Sequence, residues 1–68
     1  MSVYRVIDVI GTSPVSWEEA AADAISTAAG SVRDLRVAEV VKQDVVVGDA
    51  GELTFRTKVQ LSFKYEPE

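Results

Sequence analysis

The 68-residue sequence has no cysteine and no histidine. The first absence excludes disulfides and thiolate chemistry, and the two together exclude zinc held by sulfur or imidazole. No Ser-His-Asp triad and no imidazole acid-base pair can form. Only carboxylates, lysine, tyrosine, serine and threonine remain for covalent work, and the sequence is read as non-enzymatic. Positive charge is also scarce, with 7 cations against 11 anions and a net charge of -4. A nucleic-acid partner, which needs a basic surface, is not expected. No apolar run approaches the ~20 residues of a membrane span. The start, Met1-Ser2-Val3-Tyr4-Arg5, lacks the basic and apolar regions of a signal peptide, so a cytoplasmic location is the expectation.

A chain of this length is read as one domain, residues 1–68, with little core of its own. Small domains are usually held by disulfides, a metal or partner subunits. With sulfur and imidazole gone, self-association remains, together with an ion held by oxygen ligands.

Val3 to Ile10 is rich in β-branched residues and reads as a strand. Gly11-Thr12-Ser13-Pro14 is expected to break it. The helix that follows has two possible starts. Ser13 can cap it with Pro14 in the first helical position, or Ser16 can cap it with Glu19 closing a capping box. Trp17, Ala21, Ala24, Ile25 and Ala28 recur at helical spacing. Ala20, Ala21, Ala22, Ala24, Ala28 and Ala29 make the helix shallow, so that a sheet can approach it, and Gly30 is a plausible stop.

After a linker from Ser31 to Arg36, a second strand is expected over about Val37 to Val47, then a turn at Gly48-Asp49-Ala50-Gly51. With a three-residue loop, Gly51 takes the left-handed position. Gly48-x-x-Gly51 lacks the lysine and the strand-to-helix context of a phosphate loop, and reads as a turn. The last strand alternates cleanly. Leu53, Phe55, Thr57, Val59, Leu61, Phe63 and Tyr65 share one face, and Thr54, Arg56, Lys58, Gln60, Ser62 and Lys64 the other. The fold class is therefore α+β with order β-α-β-β: a three-stranded, antiparallel-type sheet, order 1-3-2, with one helix on one face.

A helix of about 17 residues spans about 25 Å. A strand of thirteen spans about 43 Å. The helix is too short for the hairpin, so Val37, Phe63 and Tyr65 are expected to need cover from neighbouring chains.

The three-residue loop sets Asp44 opposite Arg56, Lys42 opposite Lys58, and Val41 opposite Val59. The first is a modest cross-strand ion pair; the second is unfavourable unless an acidic group lies between the lysines. Trp17 reads as core packing rather than a ligand-stacking ring. Asp8, Glu39, Asp34, Asp49 and Glu52 each read singly as solvated charges. In a symmetric oligomer, one carboxylate per chain becomes a ring, and a ring of oxygens suits Ca²⁺ or Mg²⁺.

Over nearly its whole length the chain resembles the dodecins. The resemblance rests on Tyr4-Arg5-Val6-Ile7, Gly11-Thr12-Ser13, Ser16-Trp17-Glu18-Glu19-Ala20, Ala38-Glu39-Val40-Val41-Lys42-Gln43 and Thr57-Lys58-Val59-Gln60-Leu61-Ser62-Phe63. It implies a hollow homododecamer that stores a small ligand, in most of the family a flavin bound between subunits. The family's flavin-stacking tryptophan matches Val37 here, and its ring-binding glutamine matches Arg56. Both positions are altered, and flavin is not the expected cofactor. The branch without that tryptophan, the calcium dodecins, is more similar; it shares the Arg36-Val37-Ala38 strand start, Gln43-Asp44 and Arg56. That resemblance implies Ca²⁺ as ligand, with Asp44 and Asp8 as candidate metal ligands. Two alternatives stand beside it: a flavin-storage dodecin with a degenerate site, and a scaffold with no dedicated ligand.

Overall fold

The computed structural model describes residues 2–65. Its elements are β1 (Tyr4–Ser13), α1 (Trp17–Ala29), β2 (Leu35–Val47) and β3 (Leu53–Lys64). The sheet order is β1-β3-β2, and β3 runs antiparallel to both neighbours, as the alternation in the last strand requires.

The helix start is settled in favour of Ser16. Its hydroxyl accepts from the Glu19 N–H at 3.0 Å. The return arm of the capping box is replaced: the Glu19 carboxylate accepts instead from the hydroxyl of Ser13, at 2.7 Å. Ser13 itself accepts from the Val15 N–H at 2.9 Å, which explains how this polar side chain is buried without cost. The helix has 13 residues rather than about 17. It buries Ala20, Ala24 and Ala28, whereas Ala22 and Ala29 are exposed and take no part in its inner face.

The expected break at Gly11 is not a break. β1 continues through Gly11 and Thr12 to Ser13, paired throughout with β3. Gly11 is required for another reason: a Cβ there would lie 1.9 Å from the carbonyl oxygen of Ala20 and 3.0 Å from the Ala24 Cβ. The glycine lets the alanine face of α1 come down onto the sheet. Thr57, the one polar residue in the inward row of β3, is fully buried because its hydroxyl donates to the Trp17 carbonyl at 2.9 Å. The core is small: Val59 and Leu61 of β3 under Ala24 and Ala28, flanked by Ile7, Val9, Ala21, Ile25 and Leu35.

The hairpin turn follows the expected loop, with Gly51 at φ +87° and the Gly48 N–H donating to the Glu52 carbonyl at 2.8 Å. Asp44 faces Arg56 and Lys42 faces Lys58, as the loop length predicts. Val41 does not face Val59; Val40 does. The register shifts between Val40 and Lys42, and again between Leu35 and Val37, as at β-bulges. Because cross-strand partners share a face, the first shift places Val37 and Glu39 on the same outer face as Lys42 and Asp44. β2 starts at Leu35, two residues before the expected Val37, and Leu35 pairs with Phe63 on the helix side.

The single chain is drawn out, measuring 51 × 19 × 15 Å with a radius of gyration of 14.0 Å. A compact chain of this length would have a radius of about 11 Å. Its exposed area is 4939 Å², where a compact protein of its mass exposes about 4,200 Å². Val37 is 56% exposed, Tyr65 42%, and Val47 68%. Phe63 is half-buried in the single chain. The hairpin outruns the helix, and the surplus apolar surface lies along β2, at the strand ends and at Val6 and Ile10 of β1.

Candidate functional site

The outer face of the sheet, opposite α1, carries the charged residues in rows across the three strands. Asp8, Gln60 and Glu39 form one row; Ile10, Lys58 and Lys42 the next; Thr12, Arg56 and Asp44 the third. The order of rows follows from period-two alternation in β3 and from the shift at Val41, which keeps Glu39 on this face.

Asp44 and Arg56 form a two-pronged pair, with Arg56 Nε and Nη2 each donating to one carboxylate oxygen at 2.7 Å. These hydrogen bonds hold the Asp44 carboxyl below its ordinary pKa, and Asp44 in turn raises that of Arg56. The backbone at Asp44 is anchored from the other side of the sheet. Its carbonyl accepts from the Trp17 indole N–H at 3.0 Å, and the ring meets Phe55 edge-on with centroids 5.2 Å apart. Trp17 is therefore a packing residue that ties the helix start to β2 and β3.

Of the two opposed lysines, Lys58 obtains an acidic neighbour from β1. The Asp8 carboxylate lies 3.9 Å from Lys58 Nζ. No sequence signal marks this contact, because it depends on the pairing of β1 with β3, about fifty positions away along the chain. Asp8 and Asp44, the two candidate metal ligands, are not brought together within one chain: the lysine row lies between them. Among the described residues, no three acidic side chains converge. Between Lys42, Asp44, Arg56, Lys58 and Ile10 is a recess of about 160 Å³. Sequence reasoning singled out the four charged residues of that set but not Ile10.

The positions matched to the flavin site are on this face too. Val37 pairs with Ser62, beyond the Asp8 row, and Arg56 is held by Asp44. Neither offers a flat ring surface or a side-chain amide.

A 1-3-2 antiparallel sheet with one helix across its inner face is the dodecin subunit, and the sequence pattern of that family matches residues 3–66. The chain belongs to the dodecin family. Calcium dodecin of Mycobacterium tuberculosis is 58% identical over 67 residues, which cover 98% of this chain and 94% of that protein. A crystal structure of that calcium-chelating protein, with a calcium-binding site, matches with a TM-score of 0.90 at 57% identity, over 98% of this chain and 96% of that one. A dodecin from Streptomyces coelicolor matches with a TM-score of 0.90 at 29% identity, over 98% and 96% of the two chains. A variant of Thermus thermophilus dodecin also gives 0.90, at 26% identity over the full length of both.

Proposed function

We propose that this protein assembles with copies of itself into a hollow dodecamer and binds Ca²⁺ rather than flavin, without catalysing a reaction. The observation that carries the reading is the state of the two flavin positions. Val37 presents a small aliphatic side chain, and the Arg56 guanidinium is engaged by both oxygens of Asp44. The similarity to calcium dodecin supports the same choice.

Ca²⁺ takes six to eight oxygen ligands. In this reading the ion lies where symmetry-related chains meet, so that one carboxylate per chain is multiplied into a ring. Asp8 is the better placed of the two candidates: its row also holds Gln60 and Glu39, whereas the oxygens of Asp44 are occupied by Arg56. The elongated chain, with its uncovered valines on β2, supports assembly.

Thermal melting in calcium and in chelator, beside riboflavin fluorescence titration, tests the reading. A rise in melting temperature with calcium, lost in Asp8→Asn, and no stoichiometric quenching of riboflavin is the expected result. Tight quenching of riboflavin would overturn the choice of ligand. Absence of any calcium effect, with no metal retained after dialysis, would favour the scaffold alternative.

A further inference from the structure

We propose that the recess between Lys42, Arg56 and Lys58 is a binding site for a small oxyanion of the phosphate class. The recess includes Asp44 and borders Asp8 through Lys58, but the inference does not depend on the calcium reading.

Lys42 and Lys58 are direct cross-strand partners. Like charges in that relation destabilise a sheet unless something negative lies between them. Two acidic groups are near, and neither makes a close ion pair with Lys42, although Asp44 attracts it at longer range. Asp8 stands 3.9 Å from Lys58, on the β1 side. Both oxygens of Asp44 are hydrogen-bonded by Arg56 at 2.7 Å, so one carboxylate serves both Arg56 and, at longer range, Lys42. Among the described residues, Lys42 has no ion-pair partner. The recess thus gathers three cations around one carboxylate, in a chain whose net charge is -4.

The donors suit an oxyanion. Arg56 uses two of its five N–H groups on Asp44, leaving others to donate. The two ammonium groups supply three donors each. Charge-assisted bonds from such groups are the strong class, and their geometry fits a tetrahedral anion approached from several sides. The recess of about 160 Å³ is well above the roughly 10–15 Å³ that a single water needs on the same measure, so a compact anion fits. The pair with Asp44 fixes the guanidinium, and the Trp17 bond to the Asp44 carbonyl fixes the strand beneath it. Arg56 is therefore oriented before the anion arrives, which lowers the entropy lost on binding.

The test is calorimetric titration of inorganic phosphate into the assembled, full-length protein at pH 7, with chloride matching the ionic strength. The wild type is expected to bind phosphate. Lys42→Gln should weaken binding about tenfold, the equivalent of one charge-assisted hydrogen bond. Arg33→Gln, in the linker outside the recess, should leave it unchanged. Sedimentation checks that each variant is assembled; if Lys42→Gln is not, Lys42→Arg keeps the charge and should bind as the wild type does. No phosphate binding by the wild type, or equal weakening in Lys42→Gln and Arg33→Gln, overturns the proposal. So does a Lys42→Gln protein that dissociates while the wild type ignores phosphate, since the negative group would then be a carboxylate of a neighbouring copy.

Discussion

Gly11→Ala tests how the helix is seated on the sheet. The added Cβ would lie 1.9 Å from the Ala20 carbonyl oxygen, 2.9 Å from the Ala20 carbonyl carbon and 3.0 Å from the Ala24 Cβ. The first two are backbone atoms of α1, so no side chain can swing aside. To open the shortest contact to 3.0 Å the helix must retreat by about 1.1 Å, the difference between 3.0 and 1.9 Å. Ala24 and Ala28 would retreat with it from Val59 and Leu61, the centre of the core. A gap of about 0.5–1 Å already forfeits a quarter to a half of each dispersion contact. Overpacking of this kind costs about 1–3 kcal/mol. For a domain of this size each kcal/mol lowers the melting temperature by about 4–8 °C, so a fall of roughly 4–24 °C is expected. The measurement is a thermal melt followed by far-ultraviolet circular dichroism, at one fixed protein concentration because assembly is linked to stability. Gly30→Ala is the control. It has an ordinary helical φ of -72° and no atom nearer than 3.4 Å, so it should melt at or slightly above the wild type. If Gly11→Ala melts within about 2 °C of the wild type, the close approach of α1 is not what the glycine provides.

Three further outcomes follow from the outer face and the strand ends. The Asp44 carboxyl is held below its ordinary value by Arg56, so the pair adds stability that is present above about pH 4 and is lost as pH falls through the lower, folded-state value. Asp44→Asn should therefore flatten the dependence of melting temperature on pH below about 4, and an unchanged acid profile would show that the pair contributes nothing. Phe63→Ala should yield smaller species in sedimentation at concentrations where the wild type stays assembled, because this half-buried ring lies outside the helix-covered core; a fully assembled, equally heat-stable variant refutes that placement. Val37→Trp with Arg56→Gln should strengthen riboflavin quenching by roughly 5–150-fold, the equivalent of about 1–3 kcal/mol of ring stacking. No gain in an assembled double variant would mean that these two positions do not govern flavin binding.

The local features of the molecule were legible from the residues. Alternation in Leu53 to Tyr65 determined which side chains of β3 face inward, because side chains on a strand repeat every two residues. The loop at Asp49 to Gly51 determined that Asp44 meets Arg56 and Lys42 meets Lys58, because a short turn propagates its register into the strands beside it. The absence of cysteine and histidine limited any metal to oxygen ligands. Val41 marks where this reasoning ends: the bulge seven positions before Gly48 changes the register, and no residue type announces it.

Contacts between segments far apart in the chain were decided only in three dimensions. Gly11 reads as a turn residue in one dimension, yet it lies within a strand because α1 needs the space above it. Ser13 and Ser16 were equal candidates for the cap, and the position of Glu19 against β1 assigned them different tasks. Asp8 approaches Lys58 only because β1 lies beside β3, and Ile10 joins the recess for the same reason. Composition, periodicity and near-turn register are properties of neighbours along the chain and can be read from the order of residues. The helix seat, the bulges and the recess arise only on folding, because each depends on backbone atoms of distant segments competing for one volume.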